Sequence, residues 1–371
     1  MHLTWLEISN KALIHNIQTF RSLIGPERVL GVAVKGNAYG HGMVECSKIF
    51  AETGVDYLCV NSFEEAQRLR EAKLPSPILI MGYVPLFDLK AAAELECDLV
   101  VYNAQSIRTL GEVKKGVSIH LKIETGNHRQ GVELEELPEI IQLIKSQKNL
   151  HLKGVSTHFA NIEDRVHQEY AQYQLNRFHE ALRLLKESGL EPEYQHCANS
   201  AATMILPEAH FNFVRVGIAA YGLWPSEKTK RSTPTEIELQ PSLTWKTLVA
   251  QVKDVKKGEL IGYGCTYKMP QNGKIAVLPV GYYEGFDRGL SNKGVVLIQG
   301  QRAPVVGRVC MNMIMVDATH IPNVQPEDEV VLIGKQEKEE VTAEEMAELL
   351  GTINYEVVTR INPELERKLA V

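Results

Sequence analysis

The chain lacks most of the features by which a sequence declares its function at a glance. Its six cysteines, at positions 46, 59, 97, 197, 265 and 310, form no CxxC pair and keep no regular interval. That spacing argues against a disulfide framework and against a thiolate metal site. Several of them lie in apolar, strand-like runs and read as buried thiols of a reducing compartment. No apolar run approaches the roughly 20 residues of a membrane span. The opening "MHLTWLEISNKAL" does not place a charged segment ahead of an apolar one, as a secretion signal does. Together these absences predict a cytoplasmic protein. Lysines and arginines are scattered, and the net charge is −6, so no basic patch points to nucleic acid. The densest basic run, Lys228 to Arg231, lies in a Pro/Ser/Thr-rich stretch and reads as a solvated linker. There is no Walker lysine loop and no GxGxxG.

What is present is an ordinary globular composition, 44% apolar and 23% charged over 371 residues, long enough for two domains. Eight short apolar runs read as strands: Val29–Lys35, Tyr57–Asn61, Ile78–Gly82, Leu99–Asn103, Ser118–Glu124, Leu152–His158, Tyr194–Asn199 and Phe213–Gly217. Between them lie stretches of helical period, among them Ser62–Lys73, Asp88–Glu96, Ala104–Lys115, Glu135–Ser146 and Val166–Ser188. Pro138 suits a first helical turn, and Gly189 a helix end. Eight strands alternating with helices predict a (β/α)8 barrel, with an open doubly wound sheet as the rival. After Tyr221 the texture changes. "LWPSEKTKRSTPTEIELQPS" reads as a linker, and the chain beyond it is rich in strand and poor in helix. "LTWKTLVAQVKDV" is among the strand-rich segments, "QGQRAP" reads as a hairpin turn, and "TAEEMAELLG" as one short helix, opened by a capping box of Thr342 and Glu345. The division predicted is a barrel over residues 1–228 and a mainly β domain over 229–371, with the first ten or so residues free to join the latter.

In a barrel, chemistry sits at the C-terminal ends of the strands. Those ends carry Lys35, then His120, Lys122 and Glu124 with Arg129 just beyond, then His158, then His196, Asn199 and Ser200, and last Arg215 with Gly217. So many polar groups on one rim are not needed for a fold, because isolated buried cations are costly. Ser200 and Gly217 follow the seventh and eighth strands, where barrels often bind phosphate; on its own, Ser200 could equally be a helix N-cap. A strand-end lysine beside a phosphate site suggests pyridoxal phosphate, which needs an amine, a phosphate cradle and a partner for its ring nitrogen. An arginine as that partner cannot accept the ring proton, so the ring remains a weak electron sink.

These residues resemble a known family. "AVKGNAYGHG" is similar to the pyridoxal phosphate attachment motif of the alanine racemases, which usually has alanine in place of Gly36. "LKIETGNHRQGV", "STHFAN", "HCANSAA", "VRVGIAAYGL", "YGCTY", "PVGYYEGFDR", "GRVCMNMIMVD" and "INYEV" look like further family segments in the family's order. The resemblance covers nearly the whole chain. It implies a (β/α)8 barrel with a C-terminal β domain, and a homodimer whose copies share active sites. It implies an enzyme that interconverts L- and D-alanine by a two-base mechanism and so supplies D-alanine for peptidoglycan. By the match, Lys35 holds the cofactor and is one base, and Tyr263, from the partner copy, is the other. Tyr39, Ser200, Gly217, Ile218 and Tyr355 match the phosphate cradle. His158 matches the imidazole packed on the cofactor ring, and Arg215 the arginine facing its nitrogen. Arg129 matches the arginine near the substrate carboxylate, while Tyr282 and Met311 match residues at the substrate entrance and carboxylate, the latter through its backbone N–H. Lys122 matches a lysine that many members carbamylate, which would turn a cation into a partner for Arg129; unmodified, it would pair with Glu124 or another acid. No metal is implied. The departures are Asn312 for the usual aspartate, Asn127 for methionine, Gln130 for leucine, and Gly36. A decarboxylase on a similar barrel and a non-catalytic cofactor-binding protein are the competing readings. The complete "YGCTY" and "GRVCM" segments favour the racemase.

Overall fold

The computed structural model describes residues 3–163 and 168–370. It divides into two compact units. One comprises Ala12–Ala38 and Met43–Pro241; the other takes the chain up to Lys11, Tyr39–Gly42 and Ser242–Val371. Strand β1 (Thr4–Ser9) belongs to the second unit. The first unit is built on β2 (Val29–Ala33), β3 (Tyr57–Val60), β4 (Ile78–Ile80), β5 (Asp98–Val101), β6 (Val117–Lys122), β7 (Leu150–Ser156), β8 (Tyr194–His196) and β9 (Phe213–Val216).

These eight strands form one sheet in the order β8-β7-β6-β5-β4-β3-β2-β9, and every neighbouring pair is parallel. The backbone bond from Arg215 N to Ala198 O, 3.0 Å, ties β9 to the chain leaving β8, so the sheet curls into a nearly closed barrel. Residues of β3, β4 and β9 are buried throughout, as expected of parallel strands covered on both faces. The strands stop one to three residues short of the C-terminal ends read from sequence, because the polar residues there turn out of the ladder into the rim loops. The intervening helices follow the helical period closely: Phe63–Glu71, Leu89–Glu94, Ala104–Gly111, Leu137–Ser146 and Glu169–Glu187. The last of these ends in a Schellman motif, with Gly189 at φ 79° and Leu190 N bonded to Leu185 O at 3.0 Å. Residues 166–167 of its predicted start lie outside the described residues.

One expectation for the linker is corrected. Residues Glu227–Ser232 form a short helix rather than a solvated strap, because Ser226 caps it by accepting from Thr229 N, and the Thr229 hydroxyl is buried against the Glu163 carbonyl. The predicted boundary at 228/229 falls inside this helix, whereas the compact unit runs on to Pro241. Asn16 explains the extension: its amide donates to Gln240 O and accepts from Gln240 N, at 2.9 and 2.8 Å.

In the second unit the strands are β10 (Leu243–Leu248), β11 (Gln251–Val255), β12 (Leu260–Ile261), β13 (Tyr267–Lys268), β14 (Gly273–Leu278), β15 (Val295–Ile298), β16 (Gln301–Pro304), β17 (Ile314–Asp317), β18 (Glu329–Gln336), β19 (Glu339–Val341) and β20 (Glu366–Ala370). One sheet runs β16-β15-β18-β10-β1-β20, with β19 on β18. A three-stranded sheet runs β11-β14-β17, and β12 pairs with β13. "LTWKTLVAQVKDV" supplies two strands, β10 and β11, to two sheets. The chain changes partner between them, where Val249 N bonds Asp328 O and Ala250 N bonds Val277 O. β15 and β16 form the hairpin read from "QGQRAP", with Gln299 and Gly300 both at positive φ as a type I′ turn requires. Thr342 caps the helix Ala343–Leu350 as its sequence predicts. A second helix, Asn354–Thr359, was not legible, since its N-cap, Ile353, has no side-chain acceptor. No helix among the described residues is long and apolar enough to cross a membrane.

Candidate active site

Lys35 does not end a strand. β2 stops at Ala33, and the chain then winds into a left-handed turn, with φ of 62°, 55°, 55° and 52° at Gly36, Asn37, Ala38 and Tyr39. Three of those four residues carry a Cβ, so the turn is strained by on the order of 1–2 kcal/mol at each. Strain of this kind persists only where neighbours fix it, and it gathers at functional sites. Here the neighbours are explicit. The Glu65 carboxylate accepts from Gly36 N and from Asn61 N, both at 2.7 Å. The Asn37 side chain accepts from Met43 N at 3.0 Å, and Ala38 N bonds Val34 O at 2.8 Å. Lys35 is thereby held at the barrel rim on an immobilised main chain. Sequence reasoning did not find Glu65, although Ser62-x-x-Glu65 has capping-box spacing; the carboxylate reaches past its own helix to the loop that carries Lys35.

The rim is cationic. Lys35, Lys122, Arg129 and Arg215 lie close enough to repel one another's protons. Burial first, and then Arg129, push the Lys35 amine below the ordinary lysine range; Glu65 opposes this. Burial, Arg215 and Arg129 push Lys122 down to about 8. His158 sits in the same field: burial and then Arg215 hold it well below the ordinary imidazole range, so it is a neutral ring at physiological pH. Arg215 is buried and has no ion pair with a carboxylate among the described residues; its guanidinium donates to the carbonyls of Thr157 and His196 at 2.8 and 2.9 Å. Arg129 takes its place from the loop after β6, where Glu124 accepts backbone N–H bonds from Gly126, Asn127 and Arg129. Glu124 is thus committed to that loop. Lys122 instead donates to Gln130 Oε1 at 3.3 Å, and Gln130 in turn donates to the Tyr102 hydroxyl at 3.2 Å.

Ser200 is not an N-cap. Asn199 caps the helix Ser200–Ile205 by accepting from Ala202 N, which leaves the Ser200 hydroxyl to accept from Gly217 N at 2.8 Å. With that lone pair engaged, its proton is left to donate. Ile218, next along, is fully buried. The rim therefore offers an amine biased toward its neutral, nucleophilic form, a hydroxyl donor, and a buried guanidinium that can only donate. That donor set fits a carbonyl-bearing phosphate ester with a ring nitrogen.

The remaining candidates lie in the second unit. Tyr39 meets Tyr355 edge to face, with ring centroids 6.0 Å apart. Tyr282 and Met311 are brought together: Tyr282 N bonds Cys310 O and Tyr283 N bonds Met311 O. The two loop segments can approach because residue 281 is glycine; a Cβ there would stand 2.3 Å from Cys310 O. Tyr263 projects from the β12–β13 hairpin and is 72% exposed. Gly264 beside it has φ 71° and leaves room for the Arg308 guanidinium. Asn312 donates to Glu284 at 2.7 Å, a pairing that an aspartate at 312 would turn into repulsion.

Two family models together match most of the chain: the N-terminal domain of alanine racemase over residues 8–225, and its C-terminal domain over 242–369. An alanine racemase of Methanococcus maripaludis is 42% identical over 371 residues, covering 99% of this chain and 98% of that protein. The crystal structure of alanine racemase from Bacillus anthracis with bound L-Ala-P superposes with a TM-score of 0.94 at 36% identity, covering 100% of this chain and 96% of that one. A Clostridium difficile alanine racemase in complex with cycloserine gives a TM-score of 0.91 at 34% identity, covering 99% and 95%.

Proposed function

We propose that this chain, which belongs to the alanine racemase family, interconverts L- and D-alanine with pyridoxal phosphate, as a homodimer that shares its active sites. It is a racemase enzyme by family and fold. The observation that carries the finer reading is the cationic rim, on which a strained, clasped turn presents a lysine biased toward its neutral amine. The L-Ala-P bound by the Bacillus anthracis relative supports alanine as the substrate. The D-alanine formed would serve peptidoglycan synthesis.

When bound, the cofactor supplies an electron sink for the pair left as the substrate Cα loses its proton. Lys35 would anchor it, and Ser200, Gly217, Ile218, Tyr39 and Tyr355 would hold its phosphate. Arg215 would donate to the ring nitrogen but cannot take a proton from it, which keeps the sink weak and limits side reactions. His158, neutral, would pack on the ring. Arg129 and the Met311 N–H would orient the substrate carboxylate, with Tyr282 at the entrance. Inversion then needs a proton group on each face of Cα: Lys35 on one, and Tyr263 of the second copy on the other. In this reading the exposure of Tyr263 is what a residue lent to another copy requires. Lys122, pushed down to about 8, is poised to react as a free amine with carbon dioxide, and its carbamate would pair with Arg129. Intact mass with and without bicarbonate tests this; a mass unchanged in bicarbonate rejects the modification.

Incubation of the cofactor-loaded protein with L-alanine, followed by chiral chromatography, tests the whole reading. Conversion toward equal amounts of the two enantiomers is expected. Release of carbon dioxide would mean a decarboxylase, and no turnover a binding protein.

A further inference from the structure

A continuous line of buried polar side chains leads away from Arg215 through the barrel. Arg215 Nη1 meets His196 Nδ1. His196 Nε2 lies 2.7 Å from His120 Nδ1. His120 Nε2 makes no hydrogen bond of ordinary geometry, but Asp98 Oδ2 is 3.4 Å away. The same oxygen accepts from Tyr57 at 2.8 Å and from Lys153 at 2.9 Å. His120, His196, Asp98 and Arg215 are all at most 9% exposed. The rings are fixed in place: His196 stacks on Phe213, with centroids 4.7 Å apart, and His120 on Tyr194. The backbone accommodates them. Gly154 is glycine where a Cβ would stand 2.2 Å from His120 Nδ1, and the β6–β7 register shifts between Ile119 and His120.

Hydrogen-bond bookkeeping fixes the protons. A guanidinium has no acceptor, so His196 must offer Arg215 a bare Nδ1. Its proton is then on Nε2, directed at His120 Nδ1, which must also be bare. The His120 proton is then on Nε2, facing Asp98. Burial, reinforced by Arg215, holds His196 well below the ordinary imidazole range, and burial lowers His120 despite Asp98; both rings are neutral, as the assignment needs. Burial raises Asp98, but the nearby His120 ring and the bonds from Lys153 and Tyr57 outweigh this and keep it a carboxylate. If His120 took the other tautomer, His196 would have to follow, and two donors would then face each other at Arg215.

We propose that Asp98 is a positioning residue for Arg215: facing the His120 Nε2–H, it stabilises from the far end the tautomers of His120 and His196 that give the guanidinium an acceptor and hold it on the rim. The link to catalysis rests on the reading of Arg215 as the group at the cofactor ring nitrogen.

Histidine-selective 15N labelling of the cofactor-loaded enzyme tests this, with the pH profile of the cofactor's visible absorbance read on the same samples. In the wild type both rings should show only the Nε2–H form. Asp98→Leu should lose that signature at both rings and shift the absorbance profile. Asp98→Asn, which keeps an acceptor oxygen, should restore both. Asp98→Leu with a lowered Tm but wild-type tautomers would overturn the proposal and leave Asp98 a purely structural residue. Altered tautomers with an unshifted absorbance profile would support the lock but overturn the placement of Arg215 at the ring. Should Asp98→Leu not fold, His120→Leu breaks the chain one link on, and a His196 still solely in its Nε2–H form would be equally fatal.

Discussion

The barrel rim and the tyrosine-bearing face of the β domain prepare their functional groups in opposite ways. On the rim, Lys35, Lys122, His158 and Arg215 are withdrawn from water and pressed together, and their protonation is set before any ligand arrives. On the other face, Tyr263, Tyr282 and Met311 are 72%, 44% and 55% exposed. Burial biases the first set toward its neutral forms within one chain. The second set has position but no environment of its own, and in the proposed dimer the second copy supplies it.

The sharpest way to break this comparison is to exchange the two proposed bases in turn. Tyr263→Phe removes one hydroxyl from a water-facing side chain, so stability should move by no more than about 0.5 kcal/mol. Racemisation should nonetheless fall by about 10²–10⁴-fold, with the cofactor's visible absorbance retained. Near-wild-type turnover in both directions would remove Tyr263 from the mechanism. Lys35→Ala should lose both turnover and the absorbance of the attached cofactor.

The next largest effect tests the rim itself. Lys122 is pushed down from 10.5 to about 8, so between those values the unfolded chain binds the proton that the folded one refuses. Wild-type stability should therefore rise with pH across that window, and below it the fold carries the full cost, on the order of 3 kcal/mol. Lys122→Met, compared by denaturant unfolding in buffer free of carbon dioxide, should be more stable than wild type at pH 7. Its advantage should fade between about pH 8 and 10.5. A pH-independent difference would mean that the rim does not strain this amine.

How much of this contrast could be read from the chain depends on its range in sequence. The eight strands and the polar residues at their ends were legible, because period and composition are local. The left-handed turn at Lys35 was not, since only Gly36 and Gly40 of its five residues advertise positive φ while Asn37, Ala38 and Tyr39 share it. The partners of Lys122 and Arg215 were not legible either. Gln130 stood out only as a departure from the family, and the line from Arg215 to Asp98 joins residues on four different strands. Side-chain pairing across a barrel leaves no periodic trace.

The clasp on the turn gives a smaller effect. Glu65→Gln keeps one carbonyl oxygen for two N–H groups, at Gly36 and Asn61, so an amide N–H must face a backbone N–H. The loss should be about 1–2 kcal/mol, read as a lower Tm together with faster loss of cofactor on dilution. A Tm loss with cofactor retention unchanged would confine Glu65 to the fold.

The smallest effect belongs to the exposed face. Asn312 donates to Glu284 Oε1, whose other oxygen accepts from Gly281 N and so holds the turn that carries Tyr282. Restoring the family's usual aspartate by Asn312→Asp would set two carboxylates against each other. Because Asn312 is exposed, solvent and salt screen the repulsion, and the cost should be only about 0.5–1 kcal/mol. The test is Tm at low and at high ionic strength: a deficit at low salt that shrinks at high salt is expected. A deficit indifferent to salt would mean that the lost hydrogen bond, not the added charge, is what counts. The same measurement separates the two regions, since salt reaches an exposed pair on the β domain but should leave the Lys122 difference on the rim almost unchanged.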